Sequence, residues 1–205
     1  MLIFIGAIIL SWLTGSIPFA YIVYKVIRNA DIRTLGSGNA GATNIFRFLG
    51  LKWALVVFVL DFLKGWLPVF VILYTGLVLP VPKVIAGIAV GSAAFLGHLF
   101  PVFTGFKGGK GMAAGAGVMT ALYPLLFPAC LTVFLLVLAL SRRVSLASIV
   151  TALLLPLLYS GIVYIRGEEL SLMLVFFTCL LPVALIMKHR KNIYRLCIGK
   201  EKAIF

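Results

Sequence analysis

The stretch MAAGAGVMTALYPLLFPACLTVFLLVLAL, residues 112–140, holds 29 residues without a charge and is interrupted by Pro124 and Pro128. It reads as one long tilted helix or as two shorter ones joined at the prolines. The flanks decide between the two. On one side lies the loop Lys107-Gly108-Gly109-Lys110-Gly111, on the other Ser141-Arg142-Arg143-Val144-Ser145. A single crossing would put these basic flanks on opposite faces of a membrane, whereas Lys and Arg favour the cytoplasmic face. Two crossings keep both inside, so residues 112–140 are expected to supply two spans.

The rest of the chain agrees with a membrane setting. Hydrophobic residues make up 63% and charged residues 11% of the 205, and the mean hydropathy is +1.19. A soluble domain with that composition has too little polar surface to cover its core. The formal charge of +13 is scattered between apolar runs, not gathered with aromatics on one face as in nucleic-acid binders, so no nucleic-acid partner is expected. Cys130, Cys179 and Cys197 lack metal-site or disulfide spacing, and no metal ligation is expected.

Outward from the deciding stretch, apolar runs at 1–24, 53–79, 84–103, 146–164 and 170–187 add five further spans. The first Lys or Arg is Lys25, so the N-terminus is read as a span that starts outside and not as a cleaved signal. This assignment puts 15 of the 18 Lys and Arg residues inside: five in the loop 25–52, two at 107–111, Arg142 with Arg143, and six in the tail from residue 188. The expected fold is therefore an all-α integral membrane protein of seven transmembrane helices. Its N-terminus is outside, its C-terminus and polar active-site loops are cytoplasmic, and residues 1–205 form a single domain.

Residues 107–111 can be read in two ways. Glycines let backbone N–H groups converge on an oxyanion, and a helix starting near Met112 would add its unpaired amides. Alternatively the loop is a flexible cytoplasmic turn whose lysines only orient the protein. The four expected inner segments are rich in anion donors: Arg47, Lys107, Lys110, Arg142, Arg143, Arg190 and Arg195, with hydroxyls from Ser37, Thr43, Ser141 and Ser145. Bases are scarce. His98 and His189 are the only histidines, and inside the membrane Asp61 and Lys64 stand one helical turn apart, which reads as a structural ion pair. Many phosphate binders with few bases suit acyl transfer from an acyl phosphate, whose leaving group needs little protonation. The competing reading is a transporter or channel for a phosphorylated anion.

Three segments together resemble the bacterial PlsY family of acyl-phosphate:glycerol-3-phosphate acyltransferases. They are Gly36-Ser37-Gly38-Asn39-Ala40-Gly41-Ala42-Thr43-Asn44 continuing to Arg47; Gly97-His98 through Phe100-Pro101, Phe106 and Gly108-Gly109-Lys110-Gly111; and His189-Arg190-Lys191-Asn192-Ile193-Tyr194-Arg195-Leu196 with Gly199 and Glu201. Asp61, Lys64 and Gly65 also fit that pattern. The resemblance implies transfer of a fatty acyl group from acyl phosphate to the 1-hydroxyl of glycerol 3-phosphate in the bacterial inner membrane, giving lysophosphatidic acid and phosphate. It implies no cofactor and no metal. By motif position, Ser37, Arg47, Lys107, Lys110, His189 and Asn192 are expected to carry the reaction. Asn39, Thr43, Asn44, Gly108, Gly109, Gly111, Ser141, Arg142 and Ser145 are expected to bind substrate.

Overall fold

The structure, a computed structural model, describes residues 1–77 and 79–204. Val78, at the far end of the expected second span, and Phe205, the last residue of the tail, lie outside the described residues. The chain divides into two compact units, Met1–Leu122 and Tyr123–Phe205.

The first unit begins with α1 (Leu2–Gly15) and α2 (Phe19–Arg28). The sequence predicts one uninterrupted span here, and the structure breaks it at residues 16–18. Pro18 has no N–H to return to the preceding turn, and Ser16 turns its hydroxyl back to the Trp12 carbonyl at 2.8 Å. The loop after Arg28 contains a 3-10 turn, Ile32–Thr34, and then α3 (Ala42–Leu49), a short amphipathic helix that the reading of 25–52 as one polar loop does not anticipate. Its inner face places Asn44 and Ile45 in the core while Arg47 and Phe48 stay exposed. Next come α4 (Leu51–Tyr74), α5 (Lys83–Leu99), a 3-10 turn at Val102–Thr104, and α6 (Met112–Leu122).

Two pairs of helices in this unit touch through their backbones. A Cβ at Gly15 would strike the Ala94 carbonyl and one at Gly97 the Trp12 carbonyl, so α1 lies directly on α5. Cβ atoms at Gly65 and Gly117 would meet the carbonyls of Ala114 and Phe62, which joins α4 to α6 in the same way. Between helices in lipid, where apolar side chains gain little by leaving the tails, such close approach at small residues is the main source of association.

The second unit holds α7 (Leu126–Ser141), α8 (Val144–Arg166) and α9 (Leu172–Cys197). Residues 112–140 are thus divided in two helices, as the charge argument expects, with the break at 123–125 around Pro124. Tyr123 closes the far end of this unit. Its ring meets Tyr159 edge-on at 5.2 Å, and its hydroxyl donates to Glu168 Oε2 at 2.7 Å. Helix α9 corrects a second expectation: the seventh span is predicted to stop at residue 187, yet the helix runs on to Cys197. Residues 188–197 contain neither Gly nor Pro and are rich in helix formers, so nothing stops it before Gly199, whose φ is +70°. The segment expected as a basic tail is therefore largely helical.

Among the described residues, five stretches are long and apolar enough to cross a membrane: Leu2–Arg28, Leu51–Tyr74, Lys83–Thr104, Val144–Arg166 and Leu172–Cys197. Helices α6 and α7, with 11 and 16 residues, fall below the roughly 20 that a perpendicular crossing takes.

Candidate active site

In the first unit, the loop before α3 is folded around Asn44. Its side chain is fully buried. Its Nδ2 donates to the carbonyls of Ile32 (3.2 Å) and Leu35 (3.0 Å), and its Oδ1 accepts the Ser37 N–H (3.2 Å). Both donors of the Asn44 amide are thus engaged by loop carbonyls, so that Asn44 braces the loop. Gly36 and Gly38 take left-handed φ of +57° and +69°, which turns the half-buried Ser37 outward between them; its Oγ accepts the Asn39 N–H at 3.4 Å. Thr43 is half-buried in the first turn of α3, and the exposed Arg47 lies four residues on, along the same face. Asn39 is half-buried beside Gly41.

The Gly/Lys loop belongs to the same unit and lies against this first loop. Arg33 Nη1 donates to the Thr104 carbonyl at 3.3 Å. The Arg33 guanidinium also forks onto Asp31, with Nη2 to Oδ2 at 2.7 Å, and these side-chain hydrogen bonds hold the Asp31 carboxyl below the usual carboxylate range. Further along, Gly108 fits under the His98 carbonyl and the Pro101 ring, and Gly109 between the His98 imidazole and the Ala40 carbonyl. Gly111, at φ +91°, fits against the Phe95 ring and leads into α6. Close packing as well as backbone freedom therefore requires glycine here. The Gly109 N–H donates to the His98 carbonyl at 3.2 Å, so that amide serves the loop itself and not an incoming phosphate. Lys107 is exposed and Lys110 half-buried on either side of the glycines.

In the second unit, the extension of α9 carries His189 and Asn192 on one face, three residues apart and both buried. His189 Nδ1 stands 2.8 Å from the Leu185 carbonyl. That oxygen can only accept, so Nδ1 carries a proton, and in the neutral ring Nε2 is then the acceptor nitrogen. Asn192 Nδ2 donates to Glu201 Oε1 at 2.6 Å, and the Ser145 hydroxyl, from the first turn of α8, donates to the same oxygen at 2.6 Å. Glu201 is itself buried. It is held there because the chain turns back after Gly199: the N–H groups of Lys200 and Glu201 both donate to the Arg195 carbonyl. Ser141 is half-buried and its hydroxyl returns to the Val137 carbonyl at 2.6 Å. Arg142, exposed and left-handed with φ +55°, gives its carbonyl to the N–H of Ile204 at 2.8 Å. Beside these groups, a cavity of about 530 Å³ is lined by Arg190, Lys191, Tyr194, Arg195, Ile198 and Lys200.

The structure thus brings the first loop and the Gly/Lys loop together in one unit, and joins Ser145 to Asn192 in the other. Sequence reasoning passed over Glu201 as a site residue, although it lies within the third quoted segment; its signal was a lone carboxylate among basic residues. Nor does the sequence alone show that the His98 ring forms the wall behind Gly109. Among the described residues, no three or more His, Cys, Asp or Glu gather as they would around a metal ion.

Apolar helices that cross a membrane several times, with anion donors and buried amides on the segments between them, define an integral membrane protein equipped to handle anionic substrates. The family model described as glycerol-3-phosphate acyltransferase matches residues 5–199. A glycerol-3-phosphate acyltransferase of Endomicrobium trichonymphae is 42% identical over 100% of this chain and 97% of its own length, and that of Dechloromonas aromatica is 42% identical over 97% and 94%. Among solved structures, PlsY, an integral membrane glycerol 3-phosphate acyltransferase in its glycerol 3-phosphate form, superposes with a TM-score of 0.85 at 35% identity, covering 98% of this chain and 94% of that one. Its lysophosphatidic acid form gives 0.82 at 34%. The chain belongs to the glycerol-3-phosphate acyltransferase family. That membership carries the enzyme reading and not the transporter one.

Proposed function

We propose that this protein transfers a fatty acyl group from acyl phosphate to the 1-hydroxyl of glycerol 3-phosphate, giving lysophosphatidic acid and phosphate as an early step of phospholipid synthesis. The observation that carries this reading is the family match over residues 5–199. The glycerol hydroxyl oxygen attacks the acyl carbonyl carbon, and the bond from that carbon to the phosphate oxygen breaks. The hydroxyl proton passes to His189 Nε2 or to an anionic oxygen of a substrate phosphate. Phosphate leaves readily at neutral pH, so the protein's work is positioning and charge stabilisation, and neither a metal nor another cofactor enters.

The residues of the first unit divide the task as follows. Lys107, Lys110 and the loop 108–111 hold the acyl phosphate, with the N-terminal amides of α6 adding positive potential. Ser37, Asn39, Thr43 and Arg47 engage glycerol 3-phosphate, and Asn44 braces their loop. In the second unit, Ser145, His189 and Asn192 orient glycerol 3-phosphate, Ser141 and Arg142 support its binding, and Glu201 fixes Ser145 and Asn192. The tautomer of His189, set by the Leu185 carbonyl, supports the base role.

The topology we infer has seven spans, with α6 and α7 as the fourth and fifth, the N-terminus outside and the basic segments in the cytoplasm of a bacterial inner membrane. The distribution of Lys and Arg supports it. The whole of 1–205 acts as one acyltransferase domain, a reading supported by a family match that runs through both compact units.

Purified protein in detergent, mixed with acyl phosphate and glycerol 3-phosphate, should release phosphate and form lysophosphatidic acid without a second compartment. No phosphate release above the uncatalysed rate would refute the assignment.

A further inference from the structure

We infer that Asp61 and Lys64 are positioning residues of the Gly/Lys loop, acting through His98. This rests on the reading that the loop holds acyl phosphate. Asp61, Lys64 and His98 are all buried, and the first two lie within a helix long and apolar enough to span the membrane. Ionised groups there are costly and persist where they serve a site. Asp61 Oδ1 lies 2.7 Å from Lys64 Nζ and 3.6 Å from His98 Nδ1. The lysine makes a further tie: its Nζ donates to the Ile17 carbonyl at 2.8 Å, in the break between α1 and α2, and lies 5.4 Å from the centre of the Phe19 ring. One carboxylate therefore pairs with a lysine that locks the broken first span and faces, at 3.6 Å, a histidine that backs the loop.

His98 grips Gly109 in two ways. Its carbonyl accepts the Gly109 N–H at 3.2 Å, and its imidazole Nε2 edge lies so close that a Cβ on Gly109 would collide with it, with the Ala40 carbonyl on the other side. The carbonyl is fixed by α5, and the charge that faces Nδ1 adds a restraint on the ring. A carboxylate facing Nδ1 favours the proton on that nitrogen, and with it one tautomer and one orientation of the ring. Without it the wall behind Gly109 loses that restraint, and the frame that Lys107 and Lys110 share is loosened. A shift of about 1 Å in such a frame can cost on the order of a hundredfold in rate.

The test uses Asp61→Asn and a paired variant, Asp61→Asn with Lys64→Met, which removes both charges and leaves no uncompensated ion in the bilayer. Replacing a buried pair in this way is often tolerated, so the paired variant should keep its fold and thermal midpoint. With only two histidines in the chain, ring ¹⁵N shifts are assigned by comparison with His98→Gln. In the wild-type protein His98 should show a protonated Nδ1. In both variants that signature should be lost or averaged, and the KM for acyl phosphate should rise roughly tenfold or more while that for glycerol 3-phosphate changes little. Asp61→Glu should restore part of both readouts. An unchanged His98 signature in the paired variant overturns the inference, as does an unchanged KM for acyl phosphate or an equal rise in both KM values. The ¹⁵N readout needs no substrate. A wild-type protein that releases no phosphate would therefore sink the functional reading by itself and leave the His98 linkage to be judged on its own spectrum.

Discussion

Removal of Glu201 is the most informative single perturbation in the second unit. Its Oε1 takes two hydrogen bonds of 2.6 Å, from Ser145 Oγ and Asn192 Nδ2, and the three side chains are only 8%, 5% and 8% exposed. A hydrogen bond to a charged group contributes about 1.5–3 kcal/mol, and a buried polar group left without a partner costs about 1–3 kcal/mol. The two donors share one acceptor, so the losses do not simply add. A net destabilisation of about 3–5 kcal/mol is expected for Glu201→Ala, since removing a partner from a buried network reaches that range. At roughly 2–4 °C per kcal/mol for a chain of this size, the melting temperature in detergent should fall by about 10 °C. Glu201→Gln keeps an acceptor oxygen and should lose about half as much. Because Asn192 also loses its anchor, the KM for glycerol 3-phosphate should rise in the surviving folded protein. A double-mutant cycle with Ser145→Ala isolates the shared term, which should reach at least about 1 kcal/mol. Strict additivity in that cycle, or a Glu201→Ala protein that melts with the wild type, would show that the network contributes nothing.

Gly109→Ala should lower turnover by roughly a hundredfold, because the added methyl displaces the His98 ring or the loop; activity within twofold of wild type would contradict the packing seen there. Lys110→Ala should be far more damaging than Lys83→Ala, which removes an exposed side chain bonded to the Leu73 and Thr75 carbonyls, and equal effects in a phosphate-release assay would remove Lys110 from the site. Cysteine labelling from one side of sealed vesicles should reach positions in 107–111, Arg142 and the segment after Gly199 alike; opposite-sided labelling of the first two would mean that residues 112–140 cross once. Radiolabelled acyl phosphate without acceptor should leave no label on denatured protein, since Gly36-Ser37-Gly38 offers no base within its own motif to make Ser37 a nucleophile; a labelled Ser37 would replace direct attack with an acyl-enzyme.

Hydropathy and charge made the class of the fold legible in the sequence, while the count of crossings and their orientation stay part of the proposal. The helical class, the membrane setting and the break within 112–140 follow from side-chain polarity counted along the chain. Helix α3 escaped because eight residues are too few for a periodic signal to stand out from a loop full of glycine and asparagine. The length of α9 escaped for a different reason. Polarity marks where a helix leaves lipid, not where it ends, and the end is set by Gly199. At the site, residue types pointed to anion handling, but which groups are free to do it is a matter of partners. Asn44 and the Gly109 amide look like ligand groups in the sequence and are engaged by the protein's own backbone. Glu201 and His98 look incidental, and each holds a neighbour in place through a contact that only folding creates.

The backbone contacts of α1 on α5 and of α4 on α6 have a bearing on the loop between α5 and α6. Each end of residues 100–111 is tethered to a helix that touches another with no side chain between them, so neither end can slide without separating two backbones. The loop is therefore held near one shape by the protein alone, which, on the proposal that it holds acyl phosphate, is the shape the substrate meets. Binding then forfeits little conformational freedom, and more of the contact energy with phosphate remains as affinity. Enlarging Gly15, far along the chain from residues 107–111, or Gly117, in the helix that follows them, should accordingly make association with acyl phosphate entropically less favourable, a change that calorimetry would register even where the bound geometry is preserved.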